Sequence, residues 1–114
     1  RNGENISAAE VEQVLLELGG IDDVAAVPVP DPVRDEEVKV YLLLEDGVDP
    51  AKMTPEVVLA HCAERLAKFK VPRYIAFVDE LPYTPSEKVA KHLLVRGSKD
   101  LREGAYDAVD RIWR

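Results

Sequence analysis

The 114-residue sequence contains a single cysteine, Cys62, which excludes an internal disulfide and fits a reducing, cytoplasmic setting. No apolar run approaches the ~20 residues that cross a bilayer, and no secretory leader opens the chain. Bases are outnumbered, 15 against 22 acids, for a net charge of −7. That deficit argues against nucleic acid or an anionic membrane surface as partner, because phosphates call for a basic face. There is no internal repeat and no low-complexity stretch. The common signatures of phosphate loops, dinucleotide folds and serine hydrolases are absent, and His61, Cys62 and His92 have no zinc-ligand spacing. The first residue is Arg1 rather than Met, which suggests a piece of a longer protein.

What is present is an ordinary globular balance, 46% hydrophobic and 32% charged, at the length of one domain. The few bases are clustered. Arg65, Lys68, Lys70 and Arg73 occupy an acid-free run, and Lys88, Lys91, Arg96 and Lys99 form a second with His92 inside it. Two short basic patches on an acidic chain point to a small anionic ligand; solvated faces are the plainer reading and the one composition favours.

Ser7 with Glu10 three residues on forms a capping-box signature, and Val11, Val14, Leu15 and Leu18 follow at helical spacing, so a helix is predicted over 8–18. Residues 24–29 and 37–44 read as strands joined by a polar, proline-bearing turn, an antiparallel pair. In the second strand, Val38, Val40, Leu42 and Leu44 face one way and Lys39, Tyr41 and Leu43 the other. Thr54-Pro55-Glu56 starts a helix over 55–67 with Cys62 inward, and 74–78 is a third strand. Ser86 is expected to cap a last helix, 87–95, with Val89, Leu93 and Leu94 inward. Tyr106, Val109, Ile112 and Trp113 suggest a short docked helix in the tail. The prediction is an α+β fold: a small three-stranded sheet flanked by helices, with an N-terminal glycine loop. The expected units are 1–96 and a tail, 97–114.

For chemistry, Cys62 reads as core and His61 as helix surface. The acid pairs Asp22-Asp23, Glu36-Glu37 and Asp79-Glu80 read as solvated turns and strand ends. Two segments exceed what a bland domain needs. One is the polar, glycine-centred stretch 1–7. The other is 81–89, where two prolines stiffen a loop that presents Lys88 at an expected helix start, a place suited to phosphate or carboxylate.

These segments carry a resemblance. G-E-N-I-S-x-x-E-V-E, V-P-x-P-D, F-K-V-P-R and L-P-x-T-P-S-x-K-V-x-K, in this order over residues 1–95, are similar to the C-terminal lid domain of adenylate-forming enzymes. That family includes acyl-CoA synthetases, peptide-synthetase adenylation domains and firefly luciferases; Glu87 before Lys88 is similar to the carnitine/crotonobetaine-CoA ligase branch. The resemblance implies an acid–thiol ligase, in which acid and ATP give an acyl-adenylate and pyrophosphate, and CoA then displaces AMP. It implies a partner in the chain's own N-terminal domain, which would hold ATP, Mg2+ and the carboxylic acid, with the lid rotating between half-reactions. It assigns Lys88 to the adenylation step. It assigns Asn2, Gly3, Glu4 and Asn5 to the pantetheine tunnel, and Phe69, with Lys70, Arg73 and Arg34, to the CoA nucleotide. The 114 residues alone are expected to catalyse nothing.

The chain departs from the family pattern at three places. Glu87 stands where glycine is usual, and must adopt another backbone or accept strain if that glycine has positive φ. Asp35 replaces a glycine after the V-P-x-P-D motif, and Val71 replaces an arginine found in some relatives, which shifts the phosphate contact to Lys70 or Arg73. Two other readings stay open: a carrier-protein thiol as acceptor, and an acidic interaction module without catalysis.

Overall fold

The computed structural model describes residues 7–33 and 35–114. Helix α1 (Ala8–Leu16) is followed by strands β1 (Ile21–Asp31) and β2 (Asp35–Leu44), helix α2 (Pro55–Arg65), a 3-10 turn (Lys68–Lys70) and strand β3 (Tyr74–Val78). Helix α3 (Lys91–Val95) and two short strands, β4 (Tyr106–Asp107) and β5 (Ile112–Trp113), complete the chain.

Ser7 caps α1 by accepting the Glu10 amide at 3.2 Å, and Thr54 caps α2 by accepting the Val57 amide at 3.3 Å, with Pro55 in the first turn. The capping box is only half formed: the Glu10 carboxylate goes to Lys70 instead. β1 enters through Gly20 at φ +101°, a left-handed backbone that suits glycine; a Cβ there would also meet the Met53 methyl at 3.0 Å.

β1 and β2 are antiparallel from Ile21↔Leu44 to Asp31↔Asp35. α2 carries the chain back so that β3 lies parallel to β2, Lys39 opposite Tyr74. The alternation of side chains sorts the apolar residues into two cores. Val24, Ala26, Val38, Val40, Leu42 and Ile75 pack beneath α1 and α2 with Val11, Leu15, Val58 and Cys62. Ala25, Val27, Val29, Tyr41, Tyr74 and Ala76 build the other core with Leu81 and Ala105, joined by Val89, Leu94 and Leu101. The sheet is therefore covered on both faces.

The α+β class stands, but the sheet is mixed and has five strands, in the order β1-β2-β3-β4-β5, where three were expected. The additional strands come from the tail, which forms a hairpin against β3 and not a docked helix. The spacing of Tyr106, Val109, Ile112 and Trp113 mimics a helix, but Asp107 intervenes. Its Oδ1 accepts the amides of Val109 and Asp110 at 2.9 and 3.1 Å, a local turn that competes with helix. Arg111 at φ +56° then reverses the chain.

The helix expected over 87–95 is also shorter. Glu87 is left-handed, and α3 begins only at Lys91, which leaves Leu93 exposed while Val89 and Leu94 pack inward. His61 is buried, not on the surface: its Nε2 donates to the Val14 carbonyl at 2.6 Å and ties α2 to α1. Glu37, expected to be solvated, is 1% exposed.

Candidate functional site

Lys88 rides on a hairpin, not at a helix start. Tyr83 and Val89 form an antiparallel bridge; the Ala90 amide donates to the Pro82 carbonyl at 2.8 Å and the Thr84 amide to the Lys88 carbonyl at 2.7 Å. The Glu87 amide closes the turn on the Thr84 carbonyl at 2.9 Å. Pro85 suits the first turn position, and Glu87 follows the turn at φ +66°, the left-handed place that such three-residue hairpin loops reserve for glycine. The helix-dipole argument for Lys88 therefore gives way to another: Lys88 is placed by a strained, closed turn. Glu87 holds the left-handed backbone itself. Ser86, expected as a helix cap, lies within the turn, its Oγ 3.1 Å from the Thr84 hydroxyl.

The hairpin is docked by its base. Leu81 and Ala90 are buried. The Tyr83 hydroxyl donates to Asp23 Oδ2 at 2.8 Å, and this hydrogen bond to the β1 carboxylate pushes the phenol up to about 12. Lys91 pairs with Glu12 at 2.9 Å, and the same Glu12 oxygen accepts the Ala26 amide at 2.8 Å, so one carboxylate joins α1, β1 and α3. Asp23, read as solvated from sequence, is thus an anchor. The resulting cleft, about 370 Å³, is lined by Glu12, Leu16, Asp23, Val24, Glu87, Lys88, Val89 and Lys91. Lys88 is exposed, and among the described residues no carboxylate lies within ion-pair distance of its ammonium.

The other candidates lie elsewhere. Phe69 and Lys70 are half-buried on the 3-10 turn, with the Lys70 ammonium 5.5 Å from the Phe69 ring centroid and 2.7 Å from Glu10 Oε1. Successive helix residues are about 100° apart, so Glu10, which holds Lys70, and Glu12, which holds Lys91, leave α1 about 200° apart. The Lys88 hairpin and the Phe69–Lys70 turn therefore lie on opposite flanks of α1. Arg73 is turned into the fold, its Nε donating to Asp107 Oδ1 at 2.9 Å and its Nη1 to Asp31 Oδ2 at 3.3 Å. Asn2, Gly3, Glu4, Asn5 and Arg34 lie outside the described residues.

Sequence reasoning missed Tyr83, Asp23 and Glu12 as anchors. The Tyr83–Asp23 bond spans 60 positions and leaves no periodic trace. The buried thiol of Cys62 is pushed up to about 11 by desolvation, which suits packing and not nucleophilic work. Among the described residues, no group of three or more His, Cys, Asp or Glu could hold a metal ion, and no helix is long and apolar enough to cross a membrane.

Residues 10–88 match the family model described as "AMP-binding enzyme C-terminal domain", a match that ends on Lys88. The chain is 45% identical over 92 residues to 3-[(3aS,4S,7aS)-7a-methyl-1,5-dioxo-octahydro-1H-inden-4-yl]propanoyl:CoA ligase of Rhodococcus jostii, covering 81% of this chain and 17% of that protein. It is 41% identical over 91 residues to crotonobetaine/carnitine–CoA ligase of Proteus mirabilis, covering 80% of this chain and 17% of that protein. Among solved structures, an acyl-CoA synthetase of Brucella canis superposes with a TM-score of 0.72 at 38% identity, covering 82% of this chain and 17% of that one. The chain thus spans about a sixth of the length of these relatives. With the matched segment running from α1 through β3 to Lys88, the chain belongs to the AMP-binding enzyme C-terminal domain family.

Proposed function

We propose that this chain is the mobile C-terminal lid of an ATP-dependent acid:CoA ligase, which joins a carboxylic acid to CoA through an acyl-adenylate. The observation that carries the reading is the state of Lys88. Lys91, which lines the same cleft, is held by Glu12, whereas Lys88 stands exposed at a docked, closed turn. A cation so presented can contact both the attacking carboxylate and the α-phosphate as charge gathers between them. Its contribution is positioning and charge, not proton transfer.

The opposite flank supports the second half-reaction. Phe69 and Lys70 offer an aromatic edge and a cation for the CoA nucleotide, with Arg34 and the loop containing Asn2, Gly3, Glu4 and Asn5 completing the path of the thiol arm. Arg73 serves the fold in this reading. Two functional surfaces on opposite sides of α1 cannot face one active site together, which gives a rotation of the lid between steps a physical reason. ATP, Mg2+ and the acid are held by an N-terminal ATP-binding domain, and the lid with its tail moves as one body because β4 pairs with β3. The buried free thiol of Cys62 is suited to the reducing cytoplasm, where we place the enzyme.

The named relatives are CoA ligases, so they favour neither a carrier-protein acceptor nor a non-catalytic interaction module. Acid-dependent formation of acyl-CoA, AMP and pyrophosphate by the full-length protein, tested over a panel of carboxylic acids, supports the proposal. Acyl transfer to a carrier protein in preference to CoA refutes it.

A further inference from the structure

The hairpin that carries Lys88 has little of its own to hold it. Its two arms share one bridge, Tyr83↔Val89, and a ribbon this short is marginal in water unless something fixes it. Glu87 adds strain, because a non-glycine residue at φ +66° favours leaving that backbone. The burial of Leu81 and Ala90 secures the base, and the Lys91–Glu12 pair secures the chain beyond it. Among the described residues, one side-chain hydrogen bond ties the arm that leads into the turn to the sheet: the Tyr83 hydroxyl on Asp23, at 2.8 Å. Asp23 is itself fixed, since its other oxygen accepts the Val24 amide at 2.8 Å within β1.

We propose that Tyr83 and Asp23 are positioning residues for adenylation: their hydrogen bond docks the Lys88 hairpin on β1 and sets where the lysine stands relative to the lid. Neither residue touches substrate in this account; both act through Lys88. The inference rests on the reading of Lys88 given above. It carries a distinctive consequence. Loss of the bond loosens Lys88 and slows adenylation, but leaves the Phe69–Lys70 flank, and with it thioester formation, untouched.

The test uses the full-length ligase with Tyr83→Phe, Asp23→Asn, the double variant and Lys88→Ala. Two half-reactions are measured: acid-dependent ATP–pyrophosphate exchange, and CoA thioester formation from preformed acyl-adenylate. At a site where Tyr83 is exposed and solvent screens the charge, an ordinary net hydrogen bond suggests an effect of about five- to tenfold. The proposal predicts that each single variant lowers exchange by about that factor in kcat, with thioester formation within about twofold of wild type. It predicts that the double variant is no worse than Tyr83→Phe alone, because that change removes the donor while Asp23→Asn only takes the charge from the acceptor of the same contact. Equal loss in both half-reactions assigns the bond to general stability and overturns the proposal; so does unchanged exchange in both singles. If Lys88→Ala abolishes exchange while Tyr83→Phe and Asp23→Asn do not, only the positioning role fails. If Lys88→Ala leaves exchange intact, the reading of the lysine fails first.

Discussion

Arg73 and Asp107 form a two-pronged ion pair, Nε to Oδ1 at 2.9 Å and Nη2 to Oδ2 at 3.1 Å, with the Asp107 side chain fully buried. Arg114 adds a third contact to Asp107 at 2.9 Å, so the tail is fastened to the residue just before β3. Removing one partner of such a buried group leaves the others uncompensated, at a cost of about 3–5 kcal/mol. Asp107→Asn is expected to destabilise the chain by that order. The single tryptophan, Trp113 on β5, stacks edge-on against Tyr106 and reports the tail, so its emission during urea unfolding measures the loss.

The same carboxylate predicts a pH dependence. Burial alone would push Asp107 up. The hydrogen bonds from Arg73, the Asp110 amide, Arg114 and the Val109 amide outweigh that and hold it well below the usual carboxylate range. A carboxyl depressed in the folded state contributes stability above its unfolded value, near 4, and loses it as pH falls toward the folded value. Thermal unfolding between pH 7 and pH 5 is thus insensitive to Asp107, and the steep loss comes below pH 4. In Asp107→Asn that acid-side loss is smaller.

Tyr83 predicts the opposite limb. Its phenol, raised to about 12 by Asp23, donates its hydrogen bond in full below pH 10 and loses it as pH rises through 12. A difference titration of wild type against Tyr83→Phe should show one late-ionising tyrosine. In Asp23→Asn that tyrosine should titrate nearer 10.

Glu87 offers a test of backbone strain. A left-handed L-residue costs roughly 1–2 kcal/mol, part of which glycine returns through its freer unfolded chain. Glu87→Gly should therefore raise stability by about 0.5–1 kcal/mol, whereas Glu87→Val, β-branched at φ +66°, should lower it by about 1 kcal/mol. Denaturant midpoints for the two variants would have to move in opposite directions.

Local signals in the sequence were strong where one element satisfies itself. Ser7 and Thr54 mark helix starts, and the alternation in β2 places Lys39 and Tyr41 on one face, where Lys39 is buried and donates to the Leu101 carbonyl at 2.6 Å. The signals failed where a distant partner decides. His61 looks like a surface residue until Val14 comes to it, and Asp23 looks solvated until Tyr83 arrives. In the tail, a side chain bonding its own backbone at Asp107 defeats an apparent helical period. At the candidate site, the identity of Lys88 was legible as a motif, but its setting was not. A strained hairpin docked by side chains replaces the capped helix that Ser86 suggested.

The most direct test of the account is Lys88→Ala in the full-length protein, with the two proposed half-reactions measured separately. The account predicts that acid-dependent ATP–pyrophosphate exchange falls by about 100-fold or more, as for loss of a preorganised charge, while CoA thioester formation from preformed acyl-adenylate persists. Undiminished exchange, or equal collapse of both steps, would contradict it.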